Sequence, residues 1–359
     1  MADFLPKGPV PNDSDINMKI VGIKVTIKFK NNYIIIGGII MEIKLGNTPF
    51  IKIKYKFEGK ENEIYTKVES FSLTGSIKDR VAYYMINEAL KKGELKQGME
   101  IVEATSGNTG ISLAALGLYF GMRVHIFMPD WVSKERLNLM KMFNAKVTLI
   151  SKEEGGFKAA VEKAREYAKE NNAFFTNQFE NDNNVLAHYN ITGKEIVDKL
   201  GNSIGGFVSG IGTGGTLIGV AKRLKENNSN IKIYALEPDK MPLLSQNKVI
   251  SNHKIEGIGD DFIPKIVDRS LIDEVILIND DDAINMSRKL ASELGLGVGI
   301  SSGANVIASV LAKSKNNKNI VTVFPDDNKK YLSTELSKDI DLNSNFISNK
   351  IDLVSYEFI

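Results

Sequence analysis

From residue 61 to residue 324, short apolar runs alternate with longer amphipathic segments, and this alternation restricts the fold more than any other feature. Strands are expected at 61–68, 100–104, 123–128, 146–150, 206–209, 231–236 and 320–324. Helices are expected at 78–92, 108–120, 133–143, 158–170, 215–226 and 282–294, with Ser133 as an N-cap. Short apolar strands interleaved with amphipathic helices belong in parallel sheets covered on both faces. The fold class is therefore α/β. A chain of 359 residues exceeds one ordinary core and suggests two lobes.

Small and polar residues collect where the helices begin. Thr74-Gly75-Ser76-Ile77-Lys78-Asp79-Arg80 places a lysine after small, flexible residues at the start of a helix. Gly212-Thr213-Gly214-Gly215-Thr216 lies between a strand and a helix, where backbone N–H groups and the helix dipole hold a phosphate. Thr105-Ser106-Gly107-Asn108-Thr109-Gly110 occupies a second strand-to-helix junction. Alone, Lys78 would be one more solvated lysine. A lysine amine, a polar loop and a Gly/Thr cradle together are what a protein needs to carry pyridoxal 5'-phosphate as a Schiff base.

On that reading Lys78 carries the cofactor and Gly212, Thr213, Gly214, Gly215 and Thr216 hold its phosphate. The 105–110 loop takes the substrate carboxylate through main-chain amides and the hydroxyls of Ser106 and Thr109, and Asn108 reaches the phenolic oxygen. The same residues also serve as helix caps. Gly299-Ile300-Ser301-Ser302-Gly303-Ala304 opens another helix. A serine hydroxyl facing a pyridine nitrogen leaves the ring largely unprotonated and a weaker electron sink, which favours elimination at Cβ. Taken alone, Ser301 and Ser302 would be caps.

A rival reading exists. Gly210, Gly212 and Gly215 spell G-x-G-x-x-G, and Glu237 ends the next strand where a dinucleotide site keeps its ribose carboxylate. A NAD-dependent oxidoreductase, however, gives no role to Lys78 or to the 105–110 loop. A catalytically idle scaffold is the third reading.

The remaining classes find little support. A net charge of +2 does not favour nucleic acid or membrane as partner. With no cysteine there is no thiolate nucleophile or Cys-ligated metal, and His125, His188 and His253 are too scattered for a metal site. The apolar run at 33–41 is broken by Gly37-Gly38 and falls short of the roughly 20 residues that span a bilayer. Asp3, Pro6, Pro9, Pro11, Asp13 and Asp15 leave no room for a signal peptide, so the cytoplasm is the expected compartment.

Taken in order, Leu45-Gly46-Asn47-Thr48-Pro49, residues 74–80, residues 105–110, Gln178-Phe179-Glu180-Asn181, residues 212–216, Gly257-Ile258-Gly259, residues 299–304 and Tyr331-Leu332-Ser333-Thr334 resemble the cysteine synthase (O-acetylserine sulfhydrylase) and cystathionine β-synthase family. The resemblance covers roughly residues 41–336. It implies a fold-type II pyridoxal phosphate enzyme, tryptophan synthase β-like, with two open, twisted, mainly parallel sheets and the cofactor between the lobes. It further implies a larger lobe from 41–71 plus 183–340, a smaller mobile lobe from 72–182, a non-catalytic extension over 1–40 and a peripheral tail over 341–359. By the same resemblance Ser301 meets the pyridine nitrogen, and Thr105, Ser106, Gly107, Thr109 and Gln178 hold the substrate carboxylate. A homodimer acting on small amino-acid substrates is implied as well.

Three departures stand out. Ser72-Leu73 replaces the family's Asn-Pro, and Pro325-Asp326-Asp327-Asn328-Lys329-Lys330 replaces Pro-Asp-Ser-Gly-Glu-Arg. Asp260-Asp261 follows Gly257-Ile258-Gly259, where sulfhydrylases have small residues. An Asp-Asp pair in a loop is ordinarily a solvated turn. The functional alternative makes Asp260 catalytic: it activates water, and β-replacement runs from cysteine to serine and sulfide rather than from acetylserine to cysteine or from serine to cystathionine.

Overall fold

The computed structural model describes residues 45–316, 318–338 and 345–359, all within one unit. The expectations for the 1–40 extension and for a catalytic body starting at residue 41 lie outside the described residues. From Ile51 to Phe57 apolar and basic side chains alternate, the period of a half-buried strand, and with Phe50 they form β1 (Phe50–Phe57). An antiparallel hairpin joins it to β2 (Lys60–Val68).

From there the βα alternation holds. The chain runs through α1 (Lys78–Lys92), β3 (Glu100–Ala104), α2 (Asn108–Tyr119), β4 (Arg123–Pro129), α3 (Lys134–Met142), β5 (Lys146–Ile150), α4 (Gly156–Glu170) and the short β6 (Phe174–Phe175). Next come α5 (Asp182–Ala187), a π-helical turn at His188–Gly193, α6 (Lys194–Leu200), β7 (Ile204–Gly210), α7 (Gly215–Asn227), β8 (Lys232–Pro238) and α8 (Leu243–Gln246). The last elements are β9 (Glu274–Ile278), α9 (Asp280–Leu294), α10 (Ile300–Ser314), β10 (Asn319–Phe324) and β11 (Ile351–Phe358).

The strands sort into two sheets. Strands β3 to β6 form a four-stranded parallel sheet in the order β5-β4-β3-β6. The other seven form a sheet in the order β11-β1-β2-β10-β7-β8-β9, parallel from β2 to β9 and antiparallel at β1 and β11. Part of the segment expected as a peripheral tail is thus the edge strand of the larger sheet. Successive residues of a strand face opposite ways, so Phe207, Ile233, Ala235 and Val323 pack under α7 while Val208, Tyr234, Leu236 and Phe324 pack under α9 and α10. In the smaller sheet, Ala160, Ala164 and Ala168 give α4 a narrow stripe at i, i+4 spacing that lies close against Val102, Ala104 and Phe127.

Ser133 stands at the N-cap of α3 but does not cap it with its side chain; its hydroxyl donates to the Lys330 carbonyl at 3.0 Å and ties the helix to a distant turn. Among the described residues no helix is long and apolar enough to cross a membrane.

Candidate active site

A cleft opens beyond the carboxyl ends of β3, β7 and β10, where ligands of parallel α/β sheets bind. The N-termini of α1, α2, α7 and α10 all reach it, and each turns unpaired backbone N–H groups and a partial positive charge toward an anion. Lys78, Thr105, Ser106, Gly107, Asn108, Thr109, Gln178, Gly212, Thr213, Gly214, Thr216, Asp260 and Ser301 line this one cleft. Gly215 does not line it; it begins α7 against Asn184, whose Oδ1 would lie 2.0 Å from any added Cβ.

Lys78 is the first residue of α1. Burial holds its amine below the ordinary lysine value, opposed by the attraction of Asp326 and Asp260. Asp79 fastens the preceding turn, its carboxylate accepting from the Thr74 N–H at 2.7 Å and the Thr74 hydroxyl at 2.6 Å. Beneath the helix, buried Arg80 makes a bidentate pair with Glu69 and another with Glu195, and Thr48 and Lys67 complete the cluster.

The cradle after β7 is tight. A Cβ on Gly212 would sit 2.3 Å from the Gly257 carbonyl oxygen, and Gly214 holds φ at +87°. Only glycine meets both demands, and the bare backbone leaves N–H groups free to face a phosphate. Asn184 Nδ2 donates to the Thr213 hydroxyl at 2.9 Å, and the Thr216 hydroxyl lies 3.2 Å from His188 Nε2. Burial, with the charges of Lys78 and Arg80, keeps His188 well below the usual histidine range, so it serves the cradle as a neutral imidazole.

In the loop after β3, Gly107 N–H donates to the Thr105 hydroxyl at 3.1 Å, and the Thr109 hydroxyl donates to Gln178 Oε1 at 2.7 Å. Buried Glu103 supports this loop from below by accepting from the N–H groups of Ala104 and Gln178. Asn108 Nδ2 donates to Asp326 Oδ2 at 2.8 Å, while its Oδ1 is buried without a partner. The bare glycine cradle, which an added Cβ would fill, and the converging helix N-termini fit a ligand with a phosphate, and the polar side chains beside them fit a polar ring. Pyridoxal phosphate has both.

Asp260 sits on the loop after Gly259, whose N–H donates to the Ile211 carbonyl at 2.8 Å and whose carbonyl accepts from His253 Nε2 at 2.6 Å. Burial foremost, then the neighbouring Asp261, pushes its carboxyl up to about 6, against the pull of Lys78. Asp260 lines the cleft and is half-buried, while Asp261 beside it is exposed.

Sequence reasoning missed other residues of the cleft: Arg136, Glu256, Asp326, Tyr331 and Phe157. Arg136 from α3 forms an ion pair with Glu256 and lies over the Tyr331 ring at 4.7 Å. Asp326 and Tyr331 stand in segments already named for the resemblance, without a role assigned to either, and no local motif marks Arg136 or Glu256, whose partners lie far away in the chain. The dinucleotide reading fails at Glu237, whose carboxylate already accepts from the N–H groups of Leu244 and Ser245 at 2.8 and 3.0 Å.

Comparison with known proteins agrees with this geometry. The model of a family described as pyridoxal-phosphate dependent enzyme matches residues 41–326. Cysteine synthase B of Campylobacter jejuni is 45% identical over 294 residues, covering 81% of this chain and 96% of that protein. Cysteine synthase of Staphylococcus aureus is 40% identical over 296 residues, covering 81% and 94%. Among solved structures, a hydrogen sulfide-producing enzyme from Fusobacterium nucleatum superposes with a TM-score of 0.84 at 47% identity, covering 88% of this chain and 97% of that one.

Proposed function

The chain belongs to the cysteine synthase family of pyridoxal-phosphate dependent enzymes, and on that premise we propose that it exchanges the β-substituent of cysteine for water, giving serine and hydrogen sulfide. The observation that carries this reading is Asp260, a half-buried carboxylate that lines the same cleft as Lys78. The likeness to the hydrogen sulfide-producing enzyme supports it.

Pyridoxal phosphate, when bound, supplies an electron sink that acidifies the substrate's α-hydrogen and lets the β-substituent depart. The chain's residues do the rest. Lys78 anchors the cofactor, Gly212, Thr213, Gly214 and Thr216 hold its phosphate, and Asn108 and Ser301 meet its ring. The 105–109 loop and Gln178 orient the substrate carboxylate. Burial favours the neutral amine of Lys78, so Nζ is ready to take the proton from Cα. Asp260, when ionised, takes a proton from water as the water oxygen bonds to Cβ. The C–S bond has by then broken, the sulfur keeping its thiol proton and taking a second from Lys78 Nζ to leave as hydrogen sulfide; the proton gathered by Asp260 returns by way of Lys78 Nζ to Cα, so cysteine and water are converted to serine and sulfide without an oxidant.

Sulfide release from cysteine is the test. Asp260→Asn is expected to lower it by roughly 10²-fold or more, the usual contribution of a positioned base. Equal rates in the two proteins would remove Asp260 from the mechanism. The likeness to two cysteine synthases favours a second reading, cysteine formation from an activated serine and sulfide at the same Cβ. Comparing cysteine, serine and O-acetylserine as substrates separates the two. The family pattern also carries a cytoplasmic homodimer, which light scattering checks: a particle near the 39.7 kDa of one chain would rule the dimer out.

A further inference from the structure

Asp326 follows directly on β10 and is almost fully buried, with 1% of its surface exposed. It stands where three cofactor-facing segments meet. An isolated antiparallel bridge joins it to Ser76, two residues before Lys78. Its main-chain carbonyl accepts from the Gly299 N–H at 3.2 Å, two residues before Ser301. Its side-chain Oδ2 accepts from Asn108 Nδ2 and from the Tyr331 hydroxyl, both at 2.8 Å. The missing side chain of Gly299 makes room for the carboxylate, since a Cβ there would lie 2.1 Å from Asp326 Oδ1.

The side-chain bond decides something the backbone contacts do not. An asparagine amide has a donor end and an acceptor end of nearly equal size, and either could face a ligand. Asp326 Oδ2 accepts from the Tyr331 hydroxyl as well, and it is the NH₂ end of Asn108 that meets this oxygen. That Nδ2 group donates to Asp326, and Asn108 itself lines the cleft. We propose that Asp326 is a positioning residue that fixes the amide orientation of Asn108, so that an N–H and not the carbonyl is offered to the ring oxygen of the cofactor. An asparagine at 326 could pair with either end of Asn108 and would lose this control.

This inference rests on the family's cofactor and not on the choice of nucleophile, so its test reads the cofactor rather than turnover. The visible absorption spectrum and the dissociation constant for pyridoxal phosphate are measured for wild type, D326N, N108A and D326N/N108A. In D326N the band ratio is expected to move toward that of N108A, and cofactor binding to weaken about fivefold, the worth of one hydrogen bond of roughly 1 kcal/mol. The double variant should fall no further than N108A alone. A wild-type spectrum and affinity in D326N, or effects that add in full in the double variant, would overturn the proposal.

The exchanged pair N108D/D326N separates positioning from packing and keeps a donor–acceptor pair should D326N alone fold poorly. It is expected to restore the thermal midpoint of the apoprotein but not the spectrum, because a carboxylate then faces the ring oxygen. Recovery of the wild-type spectrum in the exchanged pair would show the pairing to be structural only.

Discussion

Asp260 and Lys78 share a desolvated cleft, and their protonation states are set against each other. Asp260 must be ionised to accept a proton from water, yet burial and Asp261 raise its carboxyl to about 6. Below that value it is neutral and cannot act as a base; above it the carboxylate is available. Sulfide release from cysteine should therefore fall about tenfold per pH unit on the acid side. Asp260→Asn should remove this limb from the pH profile, and a limb that persists unchanged would assign it to another group. Lys78 was readable from sequence because its phosphate and carboxylate loops are local motifs in a fixed order. Asp326, Arg136 and Glu256 were not, since each gains its role from a residue brought near only by folding. His188 carried no local signal beyond its unfitness as a metal ligand, and folding places the Thr216 hydroxyl 3.2 Å from its Nε2.

Among the elements, α1, β3 and β5 fall where periodicity places them, because each is bounded by small or turn-forming residues. Strand β1 carries a strict two-residue alternation, yet its neighbour β11 lies too far along the chain for any local pattern to pair them. Tight elements are also where substitutions should be most costly. Gly212→Ala pushes a methyl group against the Gly257 carbonyl, with backbone on both sides and no flexible end to yield. The purified variant should carry much less cofactor, read from its visible absorbance; full occupancy would show that the loop relaxes. Arg80 ties α1 to the turn after β2 and to α6 through Glu69 and Glu195. Arg80→Met leaves a fully buried Glu69 without its cation, and breaking such a pair costs about 3–5 kcal/mol. Urea unfolding measures this; a loss under about 1 kcal/mol would mean that Lys67 compensates.

At the scale of the molecule, the α/β class and the parallel sheets were legible, since buried parallel strands must be apolar and separated by helices. The division of strands between two sheets was not a matter of periodicity, and neither was the closing of the larger sheet by β11. Strand β1 has β2 on one side and β11 on the other, with Ile51 opposite Phe358 and Phe57 opposite Ile351. Removing residues 351–359 should bare that edge, and size-exclusion chromatography over a range of concentrations should show the shortened chain self-associating. An unchanged monodisperse peak would mean that the edge is protected otherwise. The same arrangement sets a timetable on the ribosome. The hairpin partner of β1 emerges almost at once, but its second partner follows about 300 residues later, some 15–60 s of synthesis at ~5–20 residues per second. Through that interval Lys52, Lys54 and Lys56, at every second position of β1, discourage a neighbouring nascent chain from pairing in its place.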